Sequence, residues 1–438
     1  MARDDLAGQP LGQLGPQAWL VAPETQAVIA ALTGDGSEVR FVGGCVRDAV
    51  CHRPFTDIDL ATPLPPDQVI ARITAAGLIA IPTGLAHGTV TVRVGTKSFE
   101  VTTLRRDVAC DGRHATVAFT DNWVEDAARR DLTINALSCR PDGMIFDPFD
   151  GLADLGAGRV RFVGDPHHRI REDVLRLLRF FRFYAHYGTS AWIDRDGLMA
   201  CRLAAAQLEQ LAGERIQTEM LKLLTAPDPA HVLLLMQGER VLERVLPGAL
   251  DFGCLRQVCF LEQRGIVLPG VRVDPWRRLA ALLGGQHETL AWIAQRWRLS
   301  GAQKTRLRAL VVPDQAISPE DPATLRAAQL GCLGAETVQD RLLLGWASQR
   351  AIAPRQPSSA TTRWLTALEQ AQTLTPRPFP LKGRDLLAAG LPTGPQLGQI
   401  LAETERWWWS HAGAPDYDAT LAYACTEARK ACTPDERS

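Results

Sequence analysis

Two aspartates placed two residues apart are the feature of this sequence best suited to chemistry. Asp57 and Asp59 lie in the stretch FTDIDLAT, which is otherwise apolar and favours a β-strand. A strand would turn both carboxylates to one face, where they repel each other unless a cation lies between them. Carboxylates completed by substrate phosphates hold magnesium, and two such ions can promote phosphoryl transfer. An isolated Asp-x-Asp more often caps a turn or faces water. The neighbouring sequence therefore determines whether this pair is a candidate metal site.

A glycine pair upstream of the aspartates could bind phosphate. The stretch RFVGGCVRDAV predicts a strand, a turn at Gly43 and Gly44, and a helix whose first N–H groups could face an anion. Arg47 lies near the first turn of this helix and could reach the same anion, whereas Asp48 could simply form a local pair. Downstream, Glu100 in SFEVTTLR is either a third carboxylate on an adjacent strand or an edge-strand charge, and both interpretations stay open.

The composition indicates a folded protein without a global attraction for polyanions. The chain has 438 residues, enough for about three domains, of which 46% are apolar and 22% charged. Its net charge of −1 means that any nucleic-acid site must be local. The ten cysteines form no CxxC pair, and no stretch is apolar enough for a membrane helix. We therefore expect a reduced, cytoplasmic protein without a structural zinc site.

The residues that could do chemistry lie in an α+β region that precedes a long helical one. The first 150 residues contain four strand-like stretches: EVRFVGG, FTDIDLAT, TVTVRVGTKSFEVTTLR and GMIFDPF. Gly95 predicts a hairpin turn in the third stretch, and helices are expected after Gly44 and over PPDQVIARITAAG. From about Ile170 helical periodicity takes over, first in REDVLRLLRFFRFYAHYG. The stretch RAIAPRQPSSATTR predicts an exposed loop or linker.

Four ordered motifs carry a resemblance to a known family. GGxxRD followed by DxD resembles the nucleotidyltransferase superfamily of the polymerase-β type. Three further motifs are RRDLTINAL at 129–137, FDPFDGLADL at 146–155 and GDPHHRIREDVLRLLRFFRF at 164–183. They narrow the resemblance to the class II CCA-adding tRNA nucleotidyltransferases and their bacterial poly(A) polymerase relatives. The resemblance is clear over residues 39–224, and LKGRDLLAAGLPTGPQLGQIL is a weaker match near the C-terminus.

The resemblance implies an α+β fold and a division into four parts. A small nucleotidyltransferase head with a mixed sheet and helices is expected over residues 20–155. An elongated, all-helical remainder would follow, with a neck that carries a nucleotide-selecting helix at 156–225, a body at 226–350 and a tail at 351–438. The helical remainder, above all the tail, is expected to bind tRNA.

The resemblance also assigns roles in the head. Asp57 and Asp59 would bind two Mg²⁺ ions and act as the catalytic residues, with Glu100 as a candidate third ligand. The residues expected to hold the incoming nucleotide in the head are Gly44, Arg47 and Arg130. Arg130 belongs to the RRD motif and would hold the triphosphate or the ribose.

A slanted polar row in the neck is expected to choose the base; its members are Asp173, Arg176, Arg179 and Arg182. A solvated helix face with an Asp–Arg ion pair is the alternative. From Arg159 to Arg182, however, seven arginines face only three acids, so the segment is locally basic. Cytosine and adenine each offer an amino donor beside a ring-nitrogen acceptor, which Asp173 and Arg176 together would complement. Uracil and guanine offer the reverse order, which would cost about 1–3 kcal/mol per unpaired buried group.

Three other features are open to two interpretations each. The stretch RRDVACDGRHATVAFTDN predicts a polar, mobile loop in which Asp111 and Arg113 either act or are only surface charges. In the resembling family such a loop supports the switch to ATP, so its presence favours full CCA addition. RWWWSHAG could stack on RNA but is more typical of a helical core, and His167 and His168 are expected to be loop residues rather than metal ligands.

The sequence therefore predicts a template-independent enzyme that transfers CMP, CMP and AMP from CTP and ATP to the 3′ end of tRNA and releases pyrophosphate. A poly(A) polymerase is the nearest alternative, but the chain ends in mixed charge rather than a basic extension, and no proline follows Glu172–Asp173. Enzymes that add only CC or only A are a second alternative. A non-catalytic RNA-binding module is a third, against which the intact Asp57 and Asp59 argue. No membrane and no protein partner are implied.

Overall fold

Every strand of the described chain belongs to the first of two units, Met1–Pro247 and Gly248–Ser438. The structure, a computed structural model, describes residues 9–110, 115–263, 270–312 and 317–432. The boundary between the units falls inside the predicted body at 226–350, and the predicted division into four parts stays a prediction. The α+β head followed by a largely helical remainder is confirmed.

An eight-stranded mixed sheet organises the first unit. The ten strands of the described chain are β1 (Gly12–Gln13), β2 (Arg40–Val42), β3 (Ile58–Thr62), β4 (Ile79–Gly84), β5 (Thr89–Val94), β6 (Lys97–Thr103), β7 (Arg105–Cys110), β8 (Ala115–Phe119), β9 (Ser138–Cys139) and β10 (Met144–Phe146). The order in the large sheet is β1-β10-β9-β2-β3-β6-β5-β4. β3 and β6 run parallel, whereas the other neighbours in this sheet are antiparallel. The four predicted strand regions are thus confirmed, and Gly95, at φ +58°, forms the β5–β6 turn.

The apolar alternation of these strands buries one face of the sheet. Val90 and Val92 on β5 and Phe99 and Val101 on β6 are at most 1% exposed, because every second side chain of a strand points to the same face. The first four helices of the chain are α1 (Ala18–Val21), α2 (Pro23–Thr33), α3 (Gly44–Val50) and α4 (Pro66–Ala75). Residues of α2, α3 and α4 complete this core, which leaves the other face free for polar side chains.

One predicted loop is wrong, because part of it forms strands. β7 and β8 pair in an antiparallel two-stranded sheet within RRDVACDGRHATVAFTDN. Valine, threonine and phenylalanine in the stretch favour a strand, and the ladder joins Arg105 to Phe119 and Arg106 to Ala118. Asp111 and Arg113 lie outside the described residues.

The neck begins with a break that the sequence analysis missed. The remaining helices of the first unit are α5 (Trp123–Ala128), α6 (Gly151–Gly156), α7 (Pro166–Glu172), α8 (Leu175–Tyr187), α9 (Arg195–Ala204), α10 (Gly213–Leu224), α11 (Pro229–Gly238) and α12 (Leu242–Val245). The single helix expected over REDVLRLLRFFRFYAHYG is wrong, because Asp173 is extended (φ −155°, ψ 109°) between α7 and α8. Its side chain accepts a hydrogen bond from the Leu175 N–H (3.1 Å), as a capping residue does. His167 and His168 lie in α7 rather than in a loop.

The second unit is helical throughout its described residues. Its helices are α13 (Phe252–Gln263), α14 (Pro275–Leu283), α15 (His287–Arg296), α16 (Gly301–Val311), α17 (Ala323–Leu333), α18 (Ala335–Ile352), α19 (Ser358–Thr373), α20 (Gly383–Ala388), α21 (Pro395–Ser410) and α22 (Tyr417–Cys432). Only residues 353–357 of the predicted linker lie outside helices, since α18 and α19 include its two ends. None of the described helices combines the length and apolar character that a membrane crossing requires.

The tryptophan run of α21 belongs to the core of the second unit. Trp408 is fully buried and Trp409 is 7% exposed. The Trp408 indole N–H donates to the Pro415 carbonyl (2.9 Å), and its ring packs edge-on against Phe379. Trp407 stacks on Tyr423 with 4.2 Å between the ring centroids. The core interpretation of RWWWSHAG is therefore confirmed.

Candidate active site

Two carboxylates lie side by side where β3 and β6 run parallel, and a third precedes β3. Asp59 on β3 is directly opposite Glu100 on β6 in the parallel register, so both side chains leave the same face of the sheet. Their neighbours Leu60 and Val101 point into the core. Asp57 lies just before β3 and is exposed, while Asp59 is partly buried. The structure thus places Asp59 beside Glu100, with Asp57 near enough to affect the Asp59 carboxyl electrostatically.

The environment of Asp59 opposes its negative charge. Burial, followed by the nearby charge of Glu100, raises the pKa of the Asp59 carboxyl to about 6. Arg130 acts in the opposite direction, and Asp57 adds to the rise. No salt bridge to Asp57, Asp59 or Glu100 occurs among the described residues. Negative charge that lacks a partner is the electrostatic condition under which a cation binds.

The donor set fits a hard divalent cation. Carboxylate oxygens are the ligands that magnesium prefers, and it commonly keeps positions for substrate phosphates and water. Asp57, which is exposed, and Asp59, which is partly buried, supply such oxygens. The described residues contain no group of three or more His, Cys, Asp or Glu side chains arranged to hold a metal ion. The role of Glu100 as a third ligand therefore stays a prediction.

The glycine turn and Arg130 form the other wall of the site. Gly43 has φ +69° and ψ −121°, a conformation that glycine adopts readily, and α3 begins at Gly44. A Cβ atom on Gly43 would lie only 2.9 Å from Nη1 of Arg130, so the guanidinium rests directly against the turn. Arg130 thereby places one positive charge beside the turn, and this charge acts to lower the pKa of Asp59.

Arg47 is less available than the sequence analysis expected. Its Nε and Nη2 donate to the carboxylate of Asp48 (3.0 and 2.8 Å), and Nη1 donates to the side chain of Asn135 (2.5 Å). The guanidinium also lies over the ring of Tyr187, whose hydroxyl donates to Asp48. The local Arg47–Asp48 pair is confirmed. Arg47 as a nucleotide contact stays a prediction, because the side chain is buried and already bound.

The arginines of α8 are held by acids from other elements. Arg179 Nε donates to Asp131 (2.6 Å), which follows Arg130 in the RRD motif. Arg182 Nε donates to Glu219 on α10 (2.5 Å). Burial by itself would raise the pKa of the Asp131 carboxyl, but Arg179 and then Asn135 outweigh it and lower this pKa below its ordinary value. These two arginines therefore join α8 to the RRD segment and to α10.

Asp173 and Arg176 do not pair with each other in the described structure. Asp173 accepts from Arg215 on α10 through Oδ2 (2.7 Å). Arg176 donates to the Glu172 carboxylate and, through Nη2, to the Arg129 carbonyl (3.1 Å). The ion pair of the solvated-face alternative is thus not formed. Instead, each of the two base-reading candidates is oriented by a different partner.

Sequence reasoning missed several of these partners. Arg215 lies 42 residues from Asp173, and nothing in the local pattern of α10 distinguishes it from an ordinary helix-surface arginine. Asp126 could have been found, since it stands three and four residues before Arg129 and Arg130, the spacing at which side chains meet on one helix face.

Comparisons with known proteins cover most of the chain. The family models "Poly A polymerase head domain" and "Probable RNA and SrmB- binding site of polymerase A" match residues 39–161 and 193–252. The chain is 32% identical over 411 residues to mouse "CCA tRNA nucleotidyltransferase 1, mitochondrial", covering 89% of this chain and 87% of the relative. It is also 32% identical over 406 residues to the CCA-adding enzyme of Limosilactobacillus fermentum, covering 92% and 96% of the two chains.

Solved structures share the fold over nearly the whole chain. The Bacillus stearothermophilus CCA-adding enzyme in complex with CTP matches with a TM-score of 0.69 and 26% identity, covering 93% of this chain and 98% of that one. The Thermotoga maritima CCA-adding enzyme complexed with tRNA has the same fold, with a TM-score of 0.56 and 17% identity over 96% and 99% of the two chains. The fold and the matching head domain define a nucleotidyltransferase. More narrowly, the chain belongs to the family of class II CCA-adding enzymes and poly(A) polymerases.

Proposed function

We propose that this chain is a CCA tRNA nucleotidyltransferase that adds CMP, CMP and AMP from CTP and ATP to the 3′ end of tRNA. Each transfer forms a phosphodiester to the tRNA 3′-hydroxyl and releases pyrophosphate. The observation that carries the proposal is the unpaired Asp57–Asp59 carboxylate pair beside Arg130. It stands in a chain that is 32% identical over 89% of its length to a mouse protein of that name.

The head would perform the transfer with few groups of its own. Asp57 and Asp59, with Glu100 as a candidate third ligand, would hold two Mg²⁺ ions, which when bound polarise the attacking hydroxyl and stabilise the leaving pyrophosphate. Arg130 would hold the triphosphate or ribose against the backbone of Gly44. Arg47 would act from the buried side of the glycine turn, since its guanidinium is bound to Asp48 and Asn135. Orientation and electrostatic stabilisation are what such a transfer requires from the protein.

The neck would select the base without a template. Asp173 offers an acceptor and Arg176 a donor, which together complement the amino group and ring nitrogen of cytosine or adenine. Arg215 and Glu172 bind these two side chains and so limit the conformational entropy lost when a base arrives. Arg179 and Arg182 would hold α8 in register with the RRD segment and α10.

A nucleotide-incorporation assay tests the proposal. Purified protein is given Mg²⁺, a tRNA that lacks its 3′ CCA, and each labelled nucleoside triphosphate alone or with CTP. The expected result is incorporation of two C residues and then one A, with UTP and GTP refused and elongation ending at three. A tRNA that already carries CCA serves as the control acceptor and should incorporate almost nothing.

The same assay separates the alternatives. Long A tracts made from ATP alone would identify a poly(A) polymerase, and an end after CC, or addition of A only to a tRNA that already ends in CC, would identify a partial enzyme. Retention of tRNA without any incorporation would identify a binding module.

The location also stays a prediction: we propose a cytoplasmic protein, although the mouse and human relatives are named as mitochondrial. Cell fractionation tests this.

A further inference from the structure

A buried carboxylate behind the candidate site gathers several donors. Asp126 lies on α5 and is 3% exposed. Its Oδ1 accepts from Nε and Nη2 of Arg129 (2.9 and 2.7 Å), and its Oδ2 accepts from Nη2 of Arg130 (3.3 Å). Burial alone would raise the pKa of the Asp126 carboxyl, but Arg130 and Arg129 outweigh it and hold this pKa below its ordinary value. Asp126 is therefore a negative charge at neutral pH.

Asp126 restrains the arginine that faces the carboxylate cluster. Nη2 of Arg130 is bound to Asp126, while Nη1 is turned toward the Asn135 carbonyl (3.4 Å) and lies against the Gly43 turn. A long arginine side chain without such a tether would lose about 2 kcal/mol of rotamer entropy when it binds an anion. With its orientation set in advance, less of that entropy remains to be lost.

The same carboxylate fixes the base of the β7–β8 hairpin. The backbone N–H of Arg105, the first residue of β7, donates to Oδ1 of Asp126 (3.2 Å). The Thr120 N–H, just after β8, donates to the Leu104 carbonyl (3.0 Å) and closes the hairpin. One side chain thus links the hairpin base, the two arginines of the RRD motif and, through Arg130, the surroundings of Asp59.

We infer that Asp126 is a positioning residue that presents the Arg130 guanidinium to the triphosphate of the incoming nucleotide. This inference rests on the proposed function, because it takes the anion at Arg130 to be a nucleoside triphosphate. Of the groups that Asp126 binds, Arg130 is the one whose charge acts on Asp59, so Asp126 would act on the nucleotide through Arg130. Since Arg130 would bind the triphosphate similarly before and during transfer, loosening it weakens binding more than turnover.

The substitution Asp126→Asn tests the inference, since it keeps the size of the side chain and an acceptor for the Arg105 N–H but removes the charge. We expect KM for both CTP and ATP to rise by about 10- to 100-fold, with kcat changed by less than about threefold. Asp142→Asn is the matched control, because it removes an exposed carboxylate whose partner is Arg140, and it should leave both constants unchanged. A folded D126N protein with the KM of the wild type would overturn the inference.

A double-mutant cycle with Arg130→Ala tells positioning from general damage. If Asp126 acts through Arg130, D126N should not raise KM further in a protein that already carries R130A. If the two substitutions instead raise KM independently, so that their effects multiply, the inference is refuted. A merely structural role would instead lower Tm and kcat and leave KM unchanged. Should D126N fail to fold, Asp126→Glu keeps the charge but displaces it, and KM must again rise. Calorimetry measures the affinity of each protein for CTP, and it can do so even if the wild type incorporates no nucleotide. Failure of the proposed function can therefore be distinguished from failure of this inference.

Discussion

The carboxylates on and beside β3 and β6 differ from the arginines of α8 in whether the fold gives them partners of opposite charge. Asp57, Asp59 and Glu100 lie together without a salt bridge among the described residues, and the pKa of Asp59 is raised accordingly. Arg179 and Arg182, in contrast, each bind a carboxylate at 2.6 Å or less. Uncompensated charge indicates that a ligand completes the site, whereas compensated charge holds elements together.

The second unit contains a buried example of compensated charge. Arg277 and Arg278 on α14 are at most 3% exposed and bind Glu262, and Arg277 also binds Asp340 on α18. Every charge of this buried network faces an opposite one, as stability requires. Buried charge by itself therefore does not mark a functional site. What distinguishes Asp57, Asp59 and Glu100 is that none of the three forms a salt bridge with another described residue.

The largest expected effect is loss of chemistry at the uncompensated cluster. Asp57→Ala should reduce nucleotide incorporation by about a thousandfold or more, because it removes a ligand on which charge stabilisation in the transfer depends. Binding of tRNA, measured by filter retention, should stay largely intact. Asp67→Ala, which removes an exposed carboxylate from the first turn of α4, is the control and should retain activity. Activity retained by the Asp57 variant would remove this residue from the metal site.

The compensated row should respond through stability. Arg179→Ala leaves Asp131 buried without its cation, and we expect unfolding free energy to fall by about 2–4 kcal/mol in chemical denaturation at pH 7. The folded pKa of Asp131 is lowered by this pair, so the stabilisation is present above its ordinary pKa of 3.8 and is lost as pH falls. The difference between wild type and variant should therefore shrink in acid. Arg171→Ala, an exposed arginine of α7, should change stability by less than about 0.5 kcal/mol.

Asp173 lies between these two cases, because the one salt bridge it forms among the described residues is to a partly exposed arginine, Arg215. Asp173→Ala should reduce the preference for CTP over UTP by about 10- to 100-fold, since an acceptor for the base amino group is lost. Arg215→Ala should change the same ratio in the same direction by only a fewfold, because the carboxylate remains but is less well oriented. The ratio of kcat/KM values for the two nucleotides measures both. Unchanged refusal of UTP by the Asp173 variant would contradict base reading by this residue.

The sequence reveals the carboxylate cluster because its determinants are local. The strand period places Asp57 and Asp59 relative to each other, and the hairpin turn at Gly95 returns the chain near Glu100. The parallel register of β3 and β6, which sets Glu100 opposite Asp59, is not a local property. It depends on how the chain crosses through α4, and only the folded structure gives it.

The neck was harder to predict, since its contacts join distant positions. Helical periodicity predicts a core face of Val174, Leu177, Leu178 and Phe181. The last three are at most 1% exposed, whereas Val174 precedes α8 and is only partly buried. The same periodicity wrongly predicts a helix that continues through Asp173. An aspartate can either cap a helix or lie within one, and the apolar pattern does not distinguish the two positions. The partners that decide what each arginine does, such as Glu219 for Arg182, lie tens of residues away.

The smallest expected effect is also the one that tests the meaning of uncompensated charge most directly. Burial and Glu100 raise the pKa of Asp59 to about 6, so its ionisation is less favourable in the folded protein than in the unfolded chain. The resulting stability is present below the ordinary pKa of 3.8 and is lost as pH rises through about 6. Asp59→Asn should therefore stabilise the metal-free protein by about 1–2 kcal/mol above pH 7, and by almost nothing below pH ~4. Thermal melts in EDTA measure this difference, and added Mg²⁺ should stabilise the wild type alone. A D59N protein that is less stable than the wild type at every pH would mean that the Asp59 charge is compensated after all, and the contrast with α8 would not hold.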